Sequence, residues 1–504
     1  MNPDTTSLIF GPPGTGKTHE LIRIVESLLE SGHAPDEVCY VAFTRKAANE
    51  ARDRAMEKFK FTRDQLPYFR TLHALAFMQL GLSKTQVMGY GDYVKLAQML
   101  GIYITFKGVS EDGTVLGLSR GDRLFFMENM ARAQMIDLKE FWESRPDEDV
   151  YWYELLRLHE TVVEYKAING KMDFTDMITK FCEIDVVPQV KSLLLDEAQD
   201  LTPLQWKMID KLSVDVEETY IAGDDDQAIF RWAGADPSRF MGLPGSRRVL
   251  PLSYRVPTQV QQVAEVIVKR ISSRVEKEWS PAKHEGSVEY VNSIDQVDMS
   301  EGTWLLLARN VYLLKQFNDH CLSSGLVFSS HLGSPMSGAT LRAIKSWEML
   351  RREEPITKAA AMEVYDHMSS RRGVSHGGKS SLERVPENQE ITVEYLRLHH
   401  GLLVNSIWHE ALDKIPPQEC EYFLAALRRG EKLLKEPRIR IETIHGVKGG
   451  EADSIVVCTD MADRTWREYE QSPDDEHRVW YVAVTRARRR LFIMSPQTNM
   501  SYVI

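Results

Sequence analysis

Short apolar runs recur along this 504-residue chain, and stretches of helical period separate them. Residues 7–10, 38–43, 192–195, 219–222 and 248–252 read as strands. Strands that alternate with helices signal a parallel α/β sheet. Between residues 80 and 180 the strand signal fades, and 93–100, 123–134 and 151–168 read as helices, a helical insertion into the first core. A second strand series follows at 287–291, 304–307, 327–329, 439–442, 454–459 and 491–494. It is interrupted by a helical, polar stretch over about 350–437 with a Gly/Ser-rich loop at 373–381. The expected fold class is therefore α/β, two parallel-sheet cores, each carrying a mainly helical insertion. No internal sequence repeat is evident.

Candidate chemistry sits at the ends of these strands. Residues 11–18 read GPPGTGKT and fit G-x-x-x-x-G-K-[ST], between the strand at 7–10 and a helix expected from Lys17 to Glu30. Gly11, Gly14 and Gly16, in a loop completed by Pro12, Pro13 and Thr15, let the backbone turn tightly and aim N–H groups at phosphate oxygens. The helix N-terminus favours the same anion. Lys17 is placed to reach the β- and γ-phosphates, and Thr18 to ligate Mg²⁺. The pattern recurs as GVSHGGKS at 373–380, but no apolar strand precedes it and Pro386 interrupts the following helix, so a polar loop is expected there.

Residues 196–200, DEAQD, close the strand at 192–195, where ligands of open α/β sheets bind. Asp196 is the candidate Mg²⁺ ligand and Glu197 the candidate base for the attacking water. GDDDQAIFRW at 223–232 follows another strand. Gln227 can contact both water and γ-phosphate. Phe230 and Trp232, two apart, share a face on an extended segment, either as base-stacking platforms or as core aromatics. Arg255 in LSYR (252–255) and Arg486 in VWYVAVTR (479–486) are two arginines able to neutralise charge on a transferring phosphoryl group.

In this order the motifs resemble those of the UvrD/Rep/PcrA-type helicases of superfamily 1, over almost the whole chain. GPPGTGKT looks like motif I, AFTRKAA (42–48) like Ia and TLH (71–73) like Ib. DEAQD, GDDDQAIFRW and LSYR look like II, III and IV, and TIHGVKGGE (443–451) and VWYVAVTR like V and VI. The resemblance implies RecA-like P-loop NTPase cores: 1A at 1–80 and 181–255, and 2A at 256–349 and 438–504. It implies insertions 1B at 81–180 and a short 2B at 350–437. It implies a γ-phosphate sensor at Gln227, arginine fingers at Arg255 and Arg486, a base-stacking Tyr254 and a ribose-contacting Glu451. Phe43, Thr44, His73, Phe230, Trp232, Thr443 and His445 match strand-contacting positions. The implied cofactors are ATP and Mg²⁺, and the implied partners are single-stranded DNA and ss/ds junctions, with repair or replication proteins beyond them. The implied activity is 3′→5′ translocation with duplex unwinding; a translocase that strips proteins without unwinding, a nucleotide-dependent scaffold and an RNA substrate are the alternatives.

The chain departs from the family pattern at three places. The family usually carries a glutamine that reads adenine about two dozen residues before motif I; here only Met1 to Phe10 precede Gly11 and no glutamine lies among them, which leaves nucleotide selectivity open. The usual Tyr-Gly-Trp-Arg is Phe-Arg-Trp-Ala at 230–233, so the strand contact of Arg231 is open as well. Ser253 stands where asparagine is usual. The short stretch before Gly11 and the compact length point to a phage or mobile-element origin, and the scattered cysteines to the cytoplasm of a bacterium or of a phage's host.

Composition adds bounds. The five cysteines contain no C-x-x-C pair, which argues against a zinc site or a disulfide framework. No apolar run approaches the roughly 20 residues of a membrane span, and no secretion signal is evident. The net charge of −11 does not exclude a nucleic-acid partner, because a motor needs a local basic groove, not a basic exterior. The run Arg488, Arg489, Arg490 is expected to be a solvated helix end. Oligomeric state stays open, with a monomer as the simplest expectation.

Overall fold

The computed structural model describes residues 1–43, 45–106, 119–145, 149–185, 187–333, 338–431 and 436–504, with the side chain of Lys46 left aside. It divides into two compact units, Met1–Glu285 with Glu468–Thr485, and Gly286–Arg467 with Arg486–Ile504.

The first unit is built on six parallel strands: β1 (Thr6–Phe10), β2 (Val38–Ala42), β3 (Phe69–Thr71), β4 (Ser192–Asp196), β5 (Glu218–Gly223) and β6 (Ser246–Val249), in the order β3-β2-β4-β5-β1-β6. Every side chain of β2 and β4 is buried, as expected of strands covered on both faces. One face packs Leu8, Phe10, Leu193 and Leu195 with the helices Phe174–Glu183 and Pro203–Leu212. The other packs Ile9, Tyr40 and Leu194 against the helix Lys17–Glu30, whose Leu21, Val25 and Leu28 recur at helical spacing. β3 escaped the sequence reading because three residues carry no detectable period. β6 begins and ends earlier than expected: Leu250 N still bonds Phe10 O, but Pro251 has no N–H to continue the ladder.

The insertion between β3 and β4 is helical, with a core of its own formed by Tyr93, Leu96, Phe125, Leu155 and Leu158. Arg132 crosses it to Glu128 (2.8 Å), Asp173 (2.6 Å) and Asp176 (3.0 Å). Residues 256–285, expected with the second core, pack in the first unit, and so do 468–485. The reason is apolar: helices Thr258–Val268 and Pro473–Val484 bury Val260, Ala264, Ile267, Val479 and Val482.

The second unit holds β7 (Ser287–Val291), β8 (Trp304–Ala308), β9 (Phe328–Ser330), β10 (Ile439–Thr443), β11 (Ala452–Cys458) and β12 (Ala487–Met494), parallel throughout, in the order β7-β12-β11-β8-β10-β9. The described helices between β9 and β10 share the core of the sheet. Trp347, Tyr365, Leu382, Trp408 and Phe423 pack in one cluster with Trp304, Ile441 and Val456 of the sheet. Arg488, Arg489 and Arg490 lie on β12, not on a helix end as expected. Arg488 pairs with Glu451, and Arg490 lies 4.9 Å from the Trp304 ring centroid and donates to Ser454 Oγ (2.9 Å).

Candidate nucleotide and strand-binding sites

The phosphate loop leaves β1 beside the end of β5, where Gly11 N donates to Gly223 O (3.0 Å). Gly14 (φ 73°) and Gly16 (φ 82°) take left-handed conformations, and Gly16 caps the helix Lys17–Glu30. A Cβ on Gly11 would fall 1.9 Å from Lys17 Cγ, so only glycine leaves room for the lysine stem. Lys17 Nζ donates to Gly11 O (2.9 Å), and Thr15 Oγ1 to Pro12 O (2.8 Å).

Thr18 Oγ1 donates to Asp196 Oδ2 at 2.6 Å, across 178 residues of chain. Asp196 is fully buried at the end of β4, and Tyr40 of β2 donates its hydroxyl to the same oxygen (3.2 Å). Burial, with Glu197 beside it, pushes the Asp196 carboxyl up to about 6, against the pull of Thr18 and Lys17. Glu197 stands in the left-handed region (φ 56°), a non-glycine strain on the order of 1–3 kcal/mol. Gln199 holds it: Nε2 donates to Glu197 Oε2 (2.5 Å), while Gln199 Oε1 accepts from Asp224 N (2.9 Å). Asp224 Oδ2 in turn accepts from Gln227 Nε2 (2.6 Å). Glu197 and Gln227 are thus joined by one chain of hydrogen bonds at the carboxyl ends of β4 and β5.

The LSYR segment is fastened onto the loop. Ser253 Oγ donates to Pro13 O (2.8 Å) and accepts from Val256 N (3.0 Å), and Tyr254 N donates to Gly14 O (2.9 Å). A Cβ on Gly14 would fall 2.5 Å from Arg255 Cβ. Tyr254 itself is 76% exposed, a flat ring open to a ligand beside the loop. Ser253, a departure from the family pattern, therefore has a defined structural task.

The aromatic residues gather as a group. Phe43 stacks on Phe230 (5.8 Å), Phe230 lies 6.5 Å from Trp232, and Trp232 stacks on Phe126 (6.1 Å). Phe43, His73 and Phe230 line one pocket. The segment is not extended as expected: Arg231–Ala233 is a 3₁₀ turn, and the two rings stay neighbours through that turn, with Trp232 38% exposed. Arg231 pairs with Asp475 (2.8 Å). Thr44 lies outside the described residues.

Four expected residues belong to the second unit. Thr443 ends β10 and its hydroxyl accepts from Gly446 N (3.1 Å), opening the turn that carries His445. Glu451 pairs with Arg488, and buried Arg486 donates to Gly450 O (3.4 Å). Sequence reasoning missed Tyr40, Phe126 and the bridging role of Gln199; only Gln199 had a signal, its place inside DEAQD. In the second pattern match, Lys379 pairs with Asp366 and a five-residue helix, Gly378–Leu382, follows.

The first site fits a magnesium nucleotide on its own chemistry. The loop is clear where side chains would collide, and Thr18 and Asp196 offer hard oxygen donors. Among the described residues no three or more His, Cys, Asp or Glu form a metal cage. Thr18 and Asp196 suit Mg²⁺, which takes one or two protein oxygens and completes its shell with phosphates and water.

Residues 1–245 match the UvrD/REP helicase N-terminal domain, and residues 418–498 the UvrD-like helicase C-terminal domain. The chain is 22% identical over 301 residues to the ATP-dependent DNA helicase PcrA of Bacillus subtilis, covering 56% of this chain and 40% of the relative. It is 25% identical over 283 residues to the ATP-dependent DNA helicase Rep of Buchnera aphidicola, covering 52% and 40%. Against the probable DNA helicase II homolog of Mycoplasma genitalium it is 20% identical over 589 aligned positions, covering 97% and 82%. The chain spans about two fifths of the length of the Rep and PcrA relatives.

Proposed function

The chain belongs to the UvrD-like helicases of superfamily 1, and from that premise we propose that it is an ATP-dependent DNA helicase that moves 3′→5′ on single-stranded DNA and opens duplex ahead of it. One observation carries the reading: the Thr18–Asp196 hydrogen bond, which joins a phosphate loop to an acidic strand end. Lys17 binds the β- and γ-phosphates, and the N–H groups of Gly14, Gly16, Lys17 and Thr18 cradle them. Thr18 and Asp196 would hold Mg²⁺, which would supply charge neutralisation on the phosphate oxygens. Glu197 takes the proton of the attacking water, Gln227 orients that water, and Arg255 and Arg486 neutralise charge on the transferred phosphoryl group. Tyr254 stacks on the base and Glu451 contacts the ribose.

Phe43, His73, Phe230 and Trp232, with Thr44, Thr443 and His445, grip the strand, and Phe126 joins them through its stack on Trp232. Stacking of this kind contributes about 1–3 kcal/mol per base. Trp232→Ala is therefore expected to raise the single-stranded DNA concentration for half-maximal ATPase stimulation several-fold, with the unstimulated rate little changed. Equal loss of both would assign Trp232 to folding.

Strand displacement tests the whole reading. With ATP, a duplex carrying a 3′ single-stranded tail should be unwound and one with a 5′ tail should not. ATP-driven movement without displacement of either would replace the helicase by a translocase.

A further inference from the structure

Lys277 lies 50 residues beyond Gln227, outside every motif, yet its ammonium group is buried among three consecutive carboxylates. Nζ is 2.5 Å from Asp225, 2.9 Å from Asp226 and 3.2 Å from Asp224, and all four side chains are at most 1% exposed. Arg274 adds a two-point contact to Asp226 (2.8 and 2.7 Å), and Val275 N donates to Asp225 Oδ2 (2.8 Å). Arg478, on the helix Pro473–Val484, donates to Asp225 O (2.9 Å) and Ser273 O (2.5 Å).

A buried ionic cluster of this kind adds little net stability, because desolvation offsets most of the attraction. Its use lies in what it holds. Asp224 is the junction of the catalytic hydrogen bonds: its N–H fixes Gln199, which holds Glu197, and its carboxylate accepts from Gln227 Nε2. A carboxylate only accepts, so the Gln227 amide must turn its NH₂ toward Asp224 and its carbonyl oxygen away. That carbonyl is the group able to accept a hydrogen bond from a water.

We propose that Lys277 is a positioning residue for hydrolysis: it fixes the Asp224 carboxylate, and that carboxylate sets the orientation of the Gln227 amide. The proposal rests on the reading of Gln227 and Glu197 given above. The same cluster also holds the helix Pro473–Val484, through the donation of Arg478 to Asp225 O.

A double-mutant cycle tests this, with kcat and KM for DNA-stimulated ATP hydrolysis and the affinity for a fluorescent ADP with Mg²⁺ measured on each variant. Asp224→Ala removes the acceptor. It should lower kcat about 10–100-fold, the usual cost of losing a partner that orients a reacting group, while ADP affinity stays within about two-fold. Asp224→Ala/Gln227→Ala should be no slower than Gln227→Ala alone. Losses that multiply would show that Asp224 does not act through Gln227 and overturn the proposal, as would an Asp224→Ala enzyme with unchanged kcat beside a crippled Gln227→Ala. An unchanged Gln227→Ala enzyme would fail the sensor reading itself, and the positioning role with it. For Lys277, Lys277→Arg should retain most of kcat and Lys277→Met should lose it. If Lys277→Met fails to fold, Lys277→Gln with the same readouts replaces it, and full kcat in either folded variant overturns the role of Lys277.

Discussion

Two stretches of this chain satisfy the same phosphate-loop pattern, and only one has the surroundings that make the pattern chemical. At 11–18 the loop leaves a buried parallel strand, passes through two left-handed glycines and enters a 14-residue helix. Its hydroxyl meets a buried aspartate from another strand. At 373–380 the same letters follow no strand. Gly377 is left-handed, but the helix after it has five residues, Lys379 pairs with Asp366, and Ser380 is exposed. A lysine and a hydroxyl at the right spacing do not make a nucleotide site. The site needs the fixed N–H groups of a helix start and an acid delivered by the neighbouring sheet.

The largest test of this contrast is Glu197→Gln. A general base contributes about 10²–10⁴-fold, so turnover should fall by at least a hundred-fold while nucleotide binding persists. Residual hydrolysis near the wild-type rate would mean that another site, the 373–380 loop included, performs the chemistry. Next is Lys17→Ala against Lys379→Ala, read by fluorescent ATP binding. Loss of a charged hydrogen-bond donor costs about 1.5–3 kcal/mol, so Lys17→Ala should weaken binding roughly ten-fold or more and Lys379→Ala should leave it unchanged. The smallest effect separates the two glycines. Gly14→Ala adds left-handed strain of about 1–2 kcal/mol to a Cβ only 2.5 Å from Arg255, and should lower both thermal stability and nucleotide affinity. Gly377→Ala carries the strain into open space and should lower stability alone. Equal loss of nucleotide affinity in both would remove the distinction between the loops.

What could be read from the sequence follows the same contrast. Strand ends that carry motifs were legible because local pattern and chemistry coincide: the helix Lys17–Glu30 starts and stops where expected, and Asp196 closes β4. The aromatic pair Phe230 and Trp232 was legible as a pair, but not its 3₁₀ turn, which no periodicity announces. Tyr40, Phe126 and Lys277 were invisible, since each matters through a contact with a residue distant in the chain. The placement of 256–285 and 468–485 with the first unit was hidden for the same reason: packing between two amphipathic helices leaves no mark on either one alone.

The most direct test of the central claim is steady-state ATP hydrolysis by the wild-type chain with and without single-stranded DNA. The account predicts a low basal rate that rises when single-stranded DNA is added and that disappears in Glu197→Gln under both conditions. A rate indifferent to single-stranded DNA would contradict it, because the aromatic group and the phosphate loop would then belong to uncoupled sites.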